Sequence, residues 1–315
     1  MSTTGKSHKP IDGQAVAAGL AAMLKALRPQ QWIKNTLVFL PFLFAIDQVW
    51  SLDNLGPVPE LIIELLVVFA GFCALSGAVY LFNDLSDRVA DQSHPVKKLR
   101  PIASGAVSVP AAGMLMAALV GAGLAATFLV DLVLGGIGLL YLAINVAYSM
   151  GVKRIVLVDI MVVAGGYVIR AVAGAVAIDV SPSPWLYATT AAAALFIVVG
   201  RRYAEVRLAD DEASGQRSVL GKYAGPFISQ LLTITASAAW LSYTLYTVEA
   251  ENLPQNSTML LTIPFVSFGL FRYLYLLNTS KEAEAPEQLI MRDAPLVLSV
   301  IGWIAAAVLV LILND

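Results

Sequence analysis

The sequence predicts an all-α integral membrane protein, and three observations carry that prediction. Hydrophobic residues make up 58% of the 315-residue chain and charged residues only 13%, more apolar surface than one water-soluble core could hide. Apolar windows that can cross a bilayer recur nine times, at 35–50 (short), 60–82, 109–130, 132–149, 156–177, 184–200, 226–248, 257–278 and 294–313. Every Lys and Arg except Arg170 falls on one side of such a nine-helix bundle, whereas the opposite connections hold Asp53, Asp179, Glu249 and Glu251 and no base. Cytoplasmic loops gather basic residues, so the N-terminus is expected in the cytoplasm and the C-terminus outside, in the plasma (cell inner) membrane.

Residues 1–15 are polar, with Lys6, His8 and Lys9 and no adjoining apolar stretch; they are expected to form a mobile cytoplasmic tail rather than a cleaved signal. Residues 16–315 contain no linker or low-complexity stretch and are read as one transmembrane domain. Arg28-Pro29-Gln30-Gln31-Trp32-Ile33-Lys34-Asn35 leads into the first window, with Trp32 at headgroup depth. Small residues such as Gly71, Ala74, Gly77 and Ala78 in the second window, and Ala164, Gly165, Gly166 and Gly174 in the fifth, argue for close helix packing. Such faces pack within one subunit or between subunits, which leaves a homo-oligomer open. Arg170 lies well inside the fifth window, where a charge is costly; a structural ion pair is favoured over a catalytic role, with Glu64 at similar depth as a candidate partner. The single cysteine, Cys73, excludes an internal disulfide, and two histidines, His8 and His94, make a His-rich metal site implausible. The bilayer is an expected partner; nucleic acid is not.

Chemistry concentrates after the second window, in Asn83-Asp84-Leu85-Ser86-Asp87-Arg88-Val89-Ala90-Asp91. Acids at i, i+3 and i+7 place Asp84, Asp87 and Asp91 on one helical face at the membrane surface, beside Asn83. Carboxylates so close repel one another, and Mg²⁺ carrying a phosphorylated substrate would keep them ionised. Lys97, Lys98 and Arg100 follow within a few residues and suit phosphate oxygens that the metal leaves uncovered. Lys153 and Arg154 sit in the turn after the fourth window, and Gly200-Arg201-Arg202-Tyr203-Ala204-Glu205 follows the sixth, where Arg202 and Glu205 at i, i+3 can pair. These groups surround the acids with more positive charge than topology requires, which favours a substrate with several phosphates. Because they collect at one end of alternate helices, the bundle is expected to hold a cytoplasmic active-site cup.

The pattern Asn-Asp-x-x-Asp-x-x-x-Asp after the second of nine windows, followed by Lys97 and Arg100-Pro101, resembles the UbiA superfamily of intramembrane prenyltransferases. The resemblance covers nearly the whole chain in window number, orientation and loop positions. It implies a UbiA-like helical bundle with a lateral lipid groove, in which Mg²⁺ on acidic motifs binds a pyrophosphate. The family's second Asp-rich motif is replaced here by Gly200-Arg201-Arg202-Tyr203-Ala204-Glu205, and Asp210 and Asp211 come later without its spacing. That change, with Arg28-Pro29-x-Gln31-Trp32-x-Lys34-Asn35, Arg272-Tyr273 and Arg292-Asp293, resembles one branch of the superfamily. What the branch implies is a Mg²⁺-dependent transfer of 5-phosphoribose from phosphoribosyl pyrophosphate to decaprenyl phosphate or another polyprenyl phosphate, in the arabinan donor pathway of the actinobacterial cell wall.

On that resemblance Asp84, Asp87, Asp91 and Asn83 are the expected metal–pyrophosphate site. Lys34, Lys97, Arg100, Lys153 and Arg202 would divide among the pyrophosphate, the 5-phosphate and the lipid phosphate, while Tyr203 and Glu205 would bind ribose hydroxyls or orient Arg202. Two other readings stand beside this one. An aromatic prenyltransferase of the same superfamily would take a prenyl pyrophosphate as donor. A transporter would place polar or broken-helix sites at mid-membrane, whereas here the charged groups concentrate at one surface, with Arg170 the clear exception.

Overall fold

The computed structural model describes residues 13–46, 48–181, 184–211, 220–223, 225–250, 253–254, 256–280, 289 and 291–314. Lys6, His8, Lys9, Arg217, Glu251 and Lys281 therefore lie outside the described residues, as do the side chains of Asp210 and Asp211. What is described is helical: α1 Gly13–Leu27, a 3-10 segment Pro29–Phe39, α2 Leu40–Leu43, α3 Val58–Ser86, α4 Arg88–Gln92 and α5 Val109–Val130. The chain continues through α6 Leu132–Met150, α7 Val158–Ala177, α8 Pro184–Asp211, α9 Pro226–Glu249, α10 Ile263–Thr279 and α11 Ala294–Leu313. Among the described residues seven helical segments are long and apolar enough to cross a membrane, within α3, α5, α6, α7, α8, the Thr258–Thr279 stretch and α11. The protein is a multi-pass membrane protein.

Eight of the nine expected windows coincide with α3 and α5 to α11, α9 being long at 24 residues but outside the seven. The first window, 35–50, is the exception. In its place the 3-10 segment runs from Pro29, after Arg28 in the left-handed region at φ 52°, and gives way to the single turn of α2 around Pro41. Pro29 and Pro41 each remove a backbone donor, and the chain then folds back so that Trp50 stacks on Phe42 and donates its indole N–H to the Phe42 carbonyl. A 3-10 helix rises about 2.0 Å per residue against about 1.5 Å in an α-helix. The 11-residue segment and α2 together therefore rise by about 28 Å, near the thickness of the hydrocarbon core.

In a bilayer the contact between helices comes from close packing rather than from expulsion of water. Phe72, Leu75, Leu134, Tyr141 and Ala173 form one buried cluster with Val38 of the 3-10 segment. Phe196, Leu232, Tyr273 and Leu277 form a second among α8, α9 and α10. α7 contributes to both, through Ala173 in the first and Ile160 and Ala164 in the second. Its Gly174 meets the 3-10 segment so closely that an added Cβ would lie 1.9 Å from the Val38 carbonyl oxygen.

Candidate active site

The end of α3 carries the first charged centre. Asp84 is 2% exposed and accepts from Arg28 Nη2 at 2.6 Å and Arg100 Nη1 at 3.1 Å, and the same Arg100 nitrogen lies 2.7 Å from Asp91, itself 4% exposed. Local sequence explains why both arginines arrive there. The left-handed backbone of Arg28 turns its side chain back from the 3-10 segment, over the Tyr80 ring at 5.0 Å. Arg100 precedes Pro101, which holds it extended at ψ 144°. Upstream, His94 Nδ1 accepts from the backbone N–H groups of Val96 and Lys97, ordering the turn on which Lys97 and Lys98 stand.

Asp87 departs from the expected single acidic face. It ends α3, with φ −93° and ψ 5°, so the helix phase breaks between Asp84 and Asp91. Its side chain is 42% exposed and pairs with Lys153 Nζ at 3.0 Å, while Ser149 donates to Asn83 Oδ1. The turn after α6 is thus pinned to the end of α3 by Asp87–Lys153 and Asn83–Ser149. Among the described residues no three His, Cys, Asp or Glu side chains are gathered closely enough to hold a metal ion. The acids are instead distributed over Arg28, Arg100 and Lys153.

A second centre lies between α7 and α8. Arg202, 7% exposed, places Nε 3.0 Å from Asp159 and pairs through Nη1 with Glu205, so the i, i+3 pairing expected from sequence is present. Arg201 also reaches Glu205, at 3.1 Å. Asp159 is fully buried and accepts a 2.5 Å hydrogen bond from Tyr223, whose own oxygen accepts the Leu157 N–H. Burial, and then that bond to Asp159, raise the Tyr223 phenol above the ordinary tyrosine value. Tyr203, one residue from Arg202 and so about 100° around the helix, faces away and donates to Asn278 on α10 at 2.6 Å. Arg272 forms a two-point pair with Asp293, which also caps α11 through the Leu296 N–H. The guanidinium holds the Asp293 carboxyl below the usual carboxylate range.

An apolar cavity of about 490 Å³ opens between the 3-10 segment, α8, α9, α10 and α11. Lys34, Leu37, Leu40, Phe44, Leu186, Tyr246 and Trp303 are among its lining residues, and Lys34 Nζ is held by Gln31 Oε1 at 2.6 Å. The volume lies in the range of small-molecule sites. A neighbouring space of about 600 Å³ beside Trp32, Phe69 and Arg292 shares Ile33, Thr36 and Met291 with it.

Asp84, Asp91, Arg100, Lys153, Arg202 and Glu205, all site candidates by sequence, each belong to one of the two ion-pair centres. Lys34 is at the cavity, Lys97 on its turn and Tyr203 on the α10 side. Asp159, Tyr223 and Ser149 are not singled out by the sequence, and Arg28 is marked there by the interfacial segment and the branch motif rather than as a partner of Asp84. An acid at the head of an apolar window, opposite the Arg201-Arg202 pair, was the available signal for Asp159.

The charged bundle end and the apolar cavity are those of a membrane-embedded transferase, and the model of the UbiA prenyltransferase family matches residues 38–294. The chain belongs to that family. It is 34% identical over 286 residues to the decaprenyl-phosphate phosphoribosyltransferase of Mycobacterium tuberculosis, covering 91% of this chain and 93% of that one. The enzyme of the same name from Mycolicibacterium smegmatis is 31% identical over 294 residues, covering 90% and 91%. In fold, the chain resembles a UbiA homolog from Archaeoglobus fulgidus bound to DMAPP and Mg²⁺, with TM-score 0.66, 17% identity, and 92% and 98% of the two chains covered.

The oxygen donors of the first centre suit a hard divalent cation. Asp84 and Asp91 converge on one guanidinium nitrogen, a position already shaped for positive charge.

Proposed function

We propose that this protein transfers 5-phosphoribose from phosphoribosyl pyrophosphate to decaprenyl phosphate or another polyprenyl phosphate, releasing pyrophosphate. The observation that carries the reading is that one helical bundle holds both two carboxylate–guanidinium centres and an apolar cavity with Lys34 in its lining. Two phosphorylated substrates, one with a long apolar tail, require that combination, and the similarity to the mycobacterial enzymes over nine-tenths of the chain supports it. The cell-wall arabinan pathway is the corresponding setting. We place the centres in a cytoplasmic cup of a nine-span bundle in the plasma membrane, N-terminus inside and C-terminus outside.

In this reaction the bond from the ribose anomeric carbon to the pyrophosphate oxygen breaks, with the electron pair leaving on pyrophosphate. A lipid phosphate oxygen forms the new bond. That oxygen is already anionic, so the chemistry needs no strong general base, consistent with a site near which His94 is the one histidine among the described residues. Asp84 and Asp91, with Asp87 and Asn83 at the rim, would hold Mg²⁺, which when bound supplies positive charge for the leaving pyrophosphate. Arg28, Arg100, Lys97 and Lys153 stand at the same end for donor phosphates. Arg202 is fixed by Asp159 and Glu205, and Tyr203 lines the far side of α8. Lys34 meets the acceptor phosphate at the mouth of the apolar cavity. Pyrophosphate release by purified protein with Mg²⁺ and phosphoribosyl pyrophosphate should depend on added decaprenyl phosphate. Equal release without the lipid would contradict the assignment.

A further inference from the structure

Arg170 is 6% exposed inside α7, and its contacts among the described residues are all to neutral groups. Nε donates to Asn35 Oδ1 at 2.6 Å, Nη2 to the Tyr141 hydroxyl at 3.0 Å and Nη1 to the Gly166 carbonyl at 2.5 Å. The candidate ion pair with Glu64 does not form. A buried guanidinium without a carboxylate is costly in a membrane protein, so what its three-way reach accomplishes is the question.

Its target is the 3-10 segment. In a 3-10 helix residues three apart are eclipsed, which divides this segment into distinct faces. Asn35 and Val38 form one, both 0% exposed and both on α7: Asn35 under Arg170, Val38 against Gly174 four residues on. Asn35 is also tied to α3 by bonds from Nδ2 to Ser76 Oγ at 3.1 Å and Cys73 Sγ at 3.2 Å. Lys34, Leu37 and Leu40 form a second face and line the apolar cavity, together with Ile33 and Thr36 of the third. The backbone hydrogen bonds of a 3-10 helix are poorly aligned, so side-chain anchors set the rotation of such a segment. Turning it by one residue in the direction that moves Lys34 into the place of Asn35 would bury Lys34 against α7 and bring Asn35 onto the cavity.

We propose that Arg170 is a positioning residue: through Asn35 it fixes the rotation of the 3-10 segment and so sets Lys34 at the cavity for the phosphate of the lipid acceptor. This rests on the reading of Lys34 as the acceptor-phosphate cation. It assigns a role to a side chain that touches neither charged centre. A simple packing role would reduce the amount of folded protein. Positioning instead changes the KM for one substrate.

The test is a double-mutant cycle on the full-length protein in nanodiscs, with KM measured for decaprenyl phosphate and for phosphoribosyl pyrophosphate. Lys34→Ala and Arg170→Gln should each raise the KM for the lipid by about tenfold and leave that for phosphoribosyl pyrophosphate within about twofold. The double variant should match Lys34→Ala alone, because Arg170 acts through Lys34. Arg170→Lys, which keeps the charge but not the planar fork, should behave as Arg170→Gln. Asn35→Ala, run in the same cycle, cuts the link from the other side and covers the case in which Arg170→Gln does not fold. An unchanged lipid KM in Lys34→Ala overturns the reading of Lys34 and this inference with it. A raised KM in Lys34→Ala that multiplies with the effect of Arg170→Gln or Asn35→Ala overturns the positioning role alone.

Discussion

Asp84 combines 2% exposure with contacts to two guanidinium groups, and a carboxylate so placed is worth more to binding than to folding. Asp84→Asn keeps the shape and removes the charge; turnover should fall by about 100-fold or more while the protein stays folded. Retained turnover in that variant would sink the assignment of Asp84 to the donor site. Asp159 makes the opposite case, being fully buried between Arg202 and Tyr223. Asp159→Ala strands part of a buried guanidinium network and should cost about 3 kcal/mol of stability, read as a lower unfolding midpoint. The neighbouring Tyr223 has its phenol pushed up by burial and by Asp159, so its neutral form stabilises the fold. That contribution is complete below the ordinary tyrosine pKa of about 10 and is lost as pH rises through the folded value. Wild type should therefore lose stability relative to Tyr223→Phe only above pH of about 10, in unfolding measured across pH; a difference already shrinking at neutral pH would contradict it. Spacing made Asp84 and Asp91 legible in the sequence. Asp159 was not, because an acid at the head of an apolar window reads equally well as a helix cap.

At the scale of elements, α3 and α5 to α11 were legible because apolar length is a strong signal in membrane helices. The failures lie where the chain leaves the α-helix. Asp87 left the acidic face because α3 stops there, and Lys153 holds it outward; this is a tertiary outcome that no local spacing records. The first window became a 3-10 segment because Pro29, Pro41 and the left-handed Arg28 interrupt it, and because α7 offers Gly174 as a seat for Val38. Gly174→Val fills that seat with atoms that must displace backbone. We expect it to lower stability by about 1–3 kcal/mol and to impair transfer more than folding, since the displaced element carries both Arg28 and Lys34. Thermal unfolding together with turnover checks this, and a variant with unaltered turnover would contradict it.

For the whole molecule, the sequence-level asymmetry of charge predicts orientation. The centres at Asp84–Arg100 and Asp159–Arg202 belong to the basic side and the α9–α10 connection to the other. Because the one native cysteine, Cys73, is buried, new cysteines can report sidedness. With an impermeant thiol reagent on intact cells, Asn256→Cys should label and Ser104→Cys should not; the reverse pattern would overturn the orientation. The division of labour within the bundle follows from the same geometry: charged centres at one end, an apolar cavity of about 490 Å³ between the helices, and a 3-10 segment that lines the cavity and is capped by Arg28, the partner of Asp84. The central claim is that this arrangement joins a phosphorylated sugar to a lipid phosphate. Its most direct test is mass spectrometry of the lipid formed by purified protein given Mg²⁺, phosphoribosyl pyrophosphate and decaprenyl phosphate. The account predicts a lipid heavier by one phosphoribosyl unit, with pyrophosphate released in equal amount. An unchanged lipid, together with prenylation of an aromatic acceptor from a prenyl pyrophosphate, would contradict it.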